Sequence, residues 1–199
     1  MKTVAPQKTI DTSPVIQAFT HIVPLNKKEI EDFIQLTNEV ELARGQFWVH
    51  ENKRNESIAF LLDGYLRKYF TDNDGKEITD AFYFSSDFCT DLPSIIGNTK
   101  PSSYIVAMEE TSLLTFSYSD FDKLRIKHPA FERIYSKLLE LNFLKFYNRT
   151  TSFIQQTPKE RYAELLKGNP IILQKATQYH IASYLGISYQ HLSRLRSAR

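Results

Sequence analysis

The sequence predicts an α+β protein in three parts: a strand-rich body, one long helix, and a helix-turn-helix at the C-terminal end. Three observations lead there. Short apolar segments separated by turn dipeptides fill residues 40–118. Residues 129–155 are apolar at helical spacing with one early proline. Residues 178–195, QYHIASYLGISYQHLSRL, meet the packing demands of two short helices joined by a tight turn.

Residues 1–20 are unpatterned and hold Pro6 and Pro14, which predicts a flexible N-terminal arm. Residues 27–38, KKEIEDFIQLTN, place Ile30, Phe33, Ile34 and Thr37 on one helical face. From about residue 40 the period changes. In IAFLLDGYLRKYF (58–70) apolar runs flank Asp63-Gly64, and in YFTDNDGKEITDAFYF (69–84) Asp74-Gly75 joins two strand-like arms as a hairpin. Two further apolar runs, 104–108 and 113–118, complete a pattern that suits a sandwich or barrel. Between them, DFCTDLPSIIGNTKP (87–101) is a long connection with room for one helical turn. Residues 119–127 read as a short helix capped by Ser119, ended by His128-Pro129.

The long helix, 129 to about 155, is apolar nearly all round, through Phe131, Ile134, Leu138, Leu141, Phe143 and Phe146 among others. One face can pack on the body and another on a second subunit, with a seam through Ile134, Leu138, Leu141 and Lys145. An ordinary buried helix has the same pattern. Thr157-Pro158-Lys159-Glu160 then has the capping residue, the early proline and the reciprocal glutamate of a helix start. The helix it opens ends at Gly168-Asn169-Pro170, so a domain boundary is placed near Gln156.

In the C-terminal motif Ala182 is small where two helices must approach, and Gly186 tolerates the left-handed turn. Ile181, Leu185, Ile187, Leu192 and Leu195 supply the apolar positions. Ser188 caps the second helix, whose outward residues are Tyr189, Gln190, His191, Ser193, Arg194 and Arg196. These donors, acceptors and cations suit base edges and phosphates: Arg194 to guanine or phosphate, Gln190 to adenine. Thr177, capping the first helix, and Gln178 can reach the backbone. A helical hairpin with no nucleic-acid role would show the same packing residues.

Charge agrees with this reading. Residues 158–199 carry seven Lys/Arg against two Asp/Glu, whereas residues 1–157 carry 18 against 21. A basic end on an acidic body fits polyanion binding, although a solvated basic tail would look alike. With 42% hydrophobic and 13% aromatic residues, a packed core can form. The single cysteine, Cys89, rules out an internal disulfide framework and a cysteine-ligated iron–sulfur cluster, and it suits a cytoplasmic location. No secretory leader or membrane span is expected from the apolar runs present. His21, His50, His128, His180 and His191 show no metal-ligand spacing, so no metal or cofactor is expected, while haem ligation by one histidine stays open.

On these residues the chain, from about 21 to 199, resembles the Crp/Fnr family of bacterial transcription regulators. The resemblance rests on LLDGYLR and TDNDGKE in the strand region, the long helix, and ATQYHIASYLGISYQHLSRLR. It implies a cyclic-nucleotide-binding-like sensor domain (21–128) built as a β-roll, or double-stranded β-helix of jelly-roll type. It further implies a dimerisation helix (129–156) and a helix-turn-helix DNA-binding domain (157–199). The implied partners are double-stranded DNA bearing a near-palindromic operator, a second copy of the chain, and RNA polymerase. Little chain between Gly168 and Ala176 is left for the wing that many relatives carry.

The resemblance also implies a phosphate cassette, and here this sequence departs. Members that bind cyclic AMP have Gly-Glu-Leu followed by Arg-Ser/Thr-Ala; this chain has Thr90-Asp91-Leu92 and Pro101-Ser102-Ser103. The phosphate-gripping arginine is a proline, so an anion would meet Asp91 without a guanidinium. Phe146 and Tyr147 stand where the adenine-contacting pair is expected and would fill that space. The effector is therefore unknown and not cyclic AMP in the usual manner, with Asp91, Leu92, Ser102, Ser103, Tyr104, Phe146 and Tyr147 as the candidate pocket. Two other readings compete. A cupin-type enzyme needs several histidines converging from strands, and only His50 lies there. An effector-binding or scaffolding protein of the same fold would lack DNA output.

Overall fold

The computed structural model describes residues 11–197. Helices α1 (Ser13–Thr20) and α2 (Lys27–Ile34) lead into eight strands. These are β1 (Asn38–Leu42), β2 (Phe47–Val49), β3 (Ser57–Asp63), β4 (Tyr65–Thr71), β5 (Glu77–Phe84), β6 (Phe88–Cys89), β7 (Tyr104–Ala107) and β8 (Thr111–Ser117), with α3 (Leu92–Ile96) between β6 and β7. Helices α4 (Tyr118–Lys127) and α5 (Pro129–Gln155) follow, then α6 (Pro158–Gly168), α7 (Ile171–Lys175), α8 (Gln178–Leu185) and α9 (Tyr189–Ser197).

The strands form two antiparallel four-stranded sheets, ordered β1-β8-β3-β6 and β2-β7-β4-β5. Period-two alternation sends Leu61, Leu66, Ile105 and Leu113 into the space between them. The turn residues close the hairpins as their chemistry requires. Gly64 has φ +105°, and a Cβ there would lie 2.8 Å from the carbonyl oxygen of Glu110. The Asp72 carboxylate accepts from the amides of Asp74 (3.1 Å) and Lys76 (2.9 Å), and Gly75 takes φ +76° beside it.

Each sheet has its outer face covered, which gives four layers. The first sheet's outer face, with Ile58, Phe60, Leu114 and Phe116, packs against α1, α2, α4 and the start of α5. The second sheet's outer face presents Tyr65, Phe82 and Phe84 to Tyr162, Leu165, Ile181 and Leu185 of the C-terminal helices. Asp32 on α2 ties the first layer together. Its carboxylate meets Lys127, Lys28 and His128, and these hold it well below the usual carboxylate range.

Several sequence expectations need correction. The expected arm covers residues 1–20; residues 1–10 lie outside the described residues, but 13–20 are a helix in the core. Pro14 sits in its first turn, where the missing N–H is harmless, and Val15 and Phe19, one turn apart, are fully buried. The Phe19 ring is 5.0 Å from Phe33, 5.5 Å from Phe88 and 5.9 Å from Phe131, so α1 centres an aromatic cluster. The helix expected over 27–38 stops at Ile34, because Asn38 already pairs with Thr115. Ser117, not Ser119, occupies the cap position of α4, and their hydroxyls bond each other at 2.9 Å. The seam expected along α5 is split: Ile134 is fully buried in its own protomer, Leu138 is half-buried, and only Leu141 and Lys145 face outward.

Truncating Phe19 removes the ring at the centre of that cluster. Phe19→Ala should lower the urea unfolding free energy by about 3–4 kcal/mol, the range for a buried aromatic. A loss under about 0.5 kcal/mol, as for an exposed arm, would contradict the placement of α1.

Candidate nucleic-acid interface

The C-terminal unit is built from caps. Glu160 accepts from the Thr157 amide (2.8 Å) while Thr157 Oγ1 accepts from the Glu160 amide (3.3 Å), the reciprocal box that starts α6. Thr177 Oγ1 accepts from the His180 amide at 3.2 Å and starts α8. At the other end Gly186 adopts φ +67°, and the Ile187 amide reaches back to the Ala182 carbonyl at 3.0 Å. Ser188 Oγ then accepts from the His191 amide at 3.2 Å and starts α9. The turn is tight from both sides, since a Cβ on Gly186 would sit 2.8 Å from the Phe153 ring.

Ile181, Ala182, Leu185 and Leu192 are buried between the two helices and the second sheet, with Ile187 and Leu195 half-buried beside them. This leaves one face of α9 in solvent. Tyr189, Gln190, Ser193, Arg194 and Arg196 are exposed there, and His191 is half-buried. Ser188 and Thr177 are exposed but engaged as caps, and Gln178 is half-buried at the start of α8. Among the described residues neither Arg194 nor Arg196 has a carboxylate partner, and residues 178–197 contain no Asp or Glu. The exposed face therefore carries uncompensated positive charge flanked by hydrogen-bonding side chains.

Two arginines absent from the sequence expectations hold this unit in place. Arg161 on α6 donates from Nη1 to the Gln156 carbonyl (2.7 Å), and from Nε and Nη2 to the Leu185 carbonyl (3.2 and 3.1 Å). Arg149 on α5 donates from Nη2 to the carbonyls of Tyr184 (3.1 Å) and Thr79 (3.3 Å). Both neutralise the negative end of α8. Ser183 completes the contact: its Oγ accepts from the Thr79 amide at 2.9 Å and donates to the Glu77 carbonyl at 3.3 Å. Arg67 is buried beneath, paired with Glu77 and donating to Thr79 Oγ1 at 3.1 Å.

The expected effector pocket is not one place. Asp91 and Ser103 do meet, with Ser103 Oγ donating to Asp91 at 2.9 Å, but Lys68 Nζ is also there, 3.2 Å from Asp91 and 3.8 Å from Asp80. The sequence expectation concerns a missing guanidinium; what stands beside Asp91 is an ammonium, supplied by β4. Ser102 is exposed, and Tyr104 turns away to donate to Glu51 at 2.8 Å and stack on Tyr69 at 4.9 Å. Phe146 and Tyr147 fill nothing; they are 68% and 54% exposed, because along this stretch of α5 it is Arg149 that makes the contact with β5. Leu92 instead lines an apolar cavity of about 100 Å³ with Phe19, Tyr83, Phe121, Leu138 and Asn142. Among the described residues no group of three or more His, Cys, Asp or Glu is placed to hold a metal ion. No helix among them is long and apolar enough to cross a membrane.

Residues 39–128 match the family model described as the cyclic nucleotide-binding domain. No curated protein sequence matches the chain. Solved structures extend the likeness into the C-terminal helices. FixK2 from Bradyrhizobium japonicum is 17% identical over 81% of this chain and 83% of its own, at a TM-score of 0.70. The chain has the Crp/Fnr fold. A protein from Eubacterium rectale, described as a transcriptional regulator of the Crp/Fnr family, is 19% identical over 87% of this chain and 83% of its own, with a TM-score of 0.68. A CooA mutant from Carboxydothermus hydrogenoformans is 19% identical over 89% and 85%, at 0.67. Within this Crp/Fnr fold every regular element described over residues 158–197 is a helix, and α7 occupies the stretch between α6 and α8.

His180 lies in the seam between α8 and the second sheet, and its Nδ1 is buried without a partner among the described residues. Burial, then the Arg67 charge, push its pKa down from 6.5 to about 4, with Glu77 opposing. The unfolded chain therefore takes the proton first. Stability contributed by neutral His180 is complete above about pH 6.5 and is lost as pH falls toward 4. Thermal unfolding should show wild type losing more stability than His180→Asn between pH 6.5 and 4.5. Parallel curves would contradict the placement of His180.

Proposed function

We propose that this protein is a homodimeric, sequence-specific DNA-binding transcription regulator of the Crp/Fnr type, acting from the cytoplasm without catalytic chemistry of its own. One observation carries the reading: α9 is packed by Leu192 onto a sealed helix-turn-helix while its basic, hydrogen-bonding face stands free. In this reading Arg194 and Gln190 read base edges, and Thr177, Gln178, Ser188, Tyr189, His191, Ser193 and Arg196 contact phosphates and neighbouring bases. The second copy is held along α5, where Leu141, Phe143, Leu144, Phe146, Tyr147 and Ile154 are all more than 40% exposed. An apolar stripe of that length left exposed along a helix calls for a partner. It gives Phe146 and Tyr147 a role the expected pocket does not. Two recognition helices on a two-fold axis suit a near-palindromic duplex with half-sites about one helical turn apart. RNA polymerase is the partner through which such a regulator would act.

Selection from random duplex DNA at fixed salt, without added ligand, tests this reading. A palindrome with half-sites about 10 base pairs apart should be enriched. Arg194→Ala should weaken binding to it by about 1–3 kcal/mol, the worth of one bidentate base contact. Retention without sequence preference, unchanged by Arg194→Ala, would contradict the reading.

The effector is not cyclic AMP. At the cassette the Lys68 ammonium is already taken up by Asp91 and Asp80, and no guanidinium stands there to grip a phosphate. The cavity beside α5, about 100 Å³, is smaller than the roughly 150 Å³ apolar void that holds benzene in an engineered protein. A ligand at about a hundred times its Kd would add roughly 2.7 kcal/mol of stability. Cyclic AMP at millimolar concentration should leave the melting temperature unchanged, and a clear rise would overturn this assignment.

A further inference from the structure

The contact between the C-terminal helices and the sheet runs through few polar groups, and one residue joins α5, β5 and α8 in it. Arg149 leaves α5 and bonds the Thr79 carbonyl on β5 and the Tyr184 carbonyl at the end of α8. Its Nε lies 3.7 Å from Asp80, and its guanidinium lies 4.0 Å from the centre of the Tyr184 ring and 5.1 Å from that of Phe153. Tyr184 in turn meets Phe82 of β5 at 5.3 Å. Arg161, by contrast, bonds α6 and the end of α5 to α8, with no hydrogen bond to the sheet among the described residues. Ser183 exchanges hydrogen bonds with Thr79 and Glu77 on the strand edge next to the Arg149 contact.

We propose that Arg149 is the positioning residue of the recognition helix: it latches α8 to the edge of β5 and so pre-sets the orientation in which α9 meets DNA. This rests on the DNA-binding reading above. The direction of the effect comes from geometry. In the latched arrangement Tyr189, Gln190, Ser193, Arg194 and Arg196 are all exposed, so the latch does not occlude the reading face. Fixing the domain in a usable orientation removes an ordering cost that would otherwise fall on binding. The guanidinium serves both carbonyls through Nη2 while its flat face lies over the Tyr184 ring and its Nε faces Asp80; a lysine ammonium has neither the flat face nor the second nitrogen.

The test uses the full chain with Arg149→Lys and Ser183→Ala, read in two ways. The first readout is hydrogen exchange at the Thr79 amide, whose acceptor is Ser183 on α8. The second is affinity for a selected duplex at fixed salt. Arg149→Lys should speed Thr79 exchange about tenfold and weaken duplex binding about tenfold, with Ser183→Ala changing both in the same direction. Because lysine keeps the charge, a simple phosphate contact by Arg149 would leave both readouts near wild type, and that result overturns the proposal. Faster exchange with tighter DNA binding also overturns it, since the latched state would then be inhibitory. If the wild-type protein binds no duplex, the DNA reading has failed and the exchange measurement decides alone: unchanged Thr79 protection in Arg149→Lys rejects the latch.

Discussion

Strand β5 is the last strand of its sheet, so one of its edges has no strand to pair with. Exposed edges of this kind invite pairing with other chains, and proteins cover them. Here the cover is α8. The Thr79 amide, the Thr79 carbonyl and the Glu77 carbonyl point off the edge, and each is taken by Ser183 or Arg149. The strand register shows why the edge is open to a helix at this point: Lys68 pairs with Ala81 and Tyr69 with Thr79, so Asp80 is the extra residue of a bulge. Everything proposed for the C-terminal helices depends on this seam. The second sheet buries its outer aromatics there, and α9 inherits its orientation from α8 through the Gly186 turn.

The two faces of the sandwich divide the labour. The first sheet is covered by α1, α2 and α4 in an aromatic cluster whose members are fully or nearly buried, which gives a rigid body. Helix α5 begins in that cluster through Phe131 and Ile134 and then leaves apolar side chains uncovered, Leu141, Phe143, Leu144, Phe146 and Tyr147 among them. The same helix reaches the seam through Arg149 and Phe153. A single helix thus links the sandwich, the exposed apolar side chains proposed to hold a second copy, and the mount of α8 and α9. The cassette at which a cyclic nucleotide phosphate would bind is instead closed on itself by Lys68, Asp91 and Ser103.

What could be read from the sequence was local. Asp63-Gly64, Asp74-Gly75, the Thr157 box, Gly186 and the Ser188 cap carry their instructions within a few residues, and the structure uses each at the place expected. The helix-turn-helix packing positions belong to the same class. The features that escaped are long-range. Thr79 and Ser183 are 104 residues apart, and Thr79 and Arg149 are 70 apart, so no window along the chain pairs them. Lys68 reaches Asp91 only because β4 crosses the sandwich beside that loop. Helix α1 escapes a sequence reading because its four apolar residues, Val15, Ile16, Ala18 and Phe19, span only two turns beside a proline and carry too little periodic signal. The family resemblance puts Phe146 and Tyr147 in a pocket, but their surroundings depend on which side of α5 meets the body, which residue type alone does not encode.

In the proposed regulator a dimer presents two copies of the exposed α9 face to one duplex. Hydroxyl-radical footprinting of the intact protein on a selected duplex tests it most directly. The account predicts protection at two successive major grooves on one face of the DNA, centred about 10 base pairs apart, with Arg194→Ala losing both together. Protection confined to one groove, or protection that survives Arg194→Ala, would contradict it.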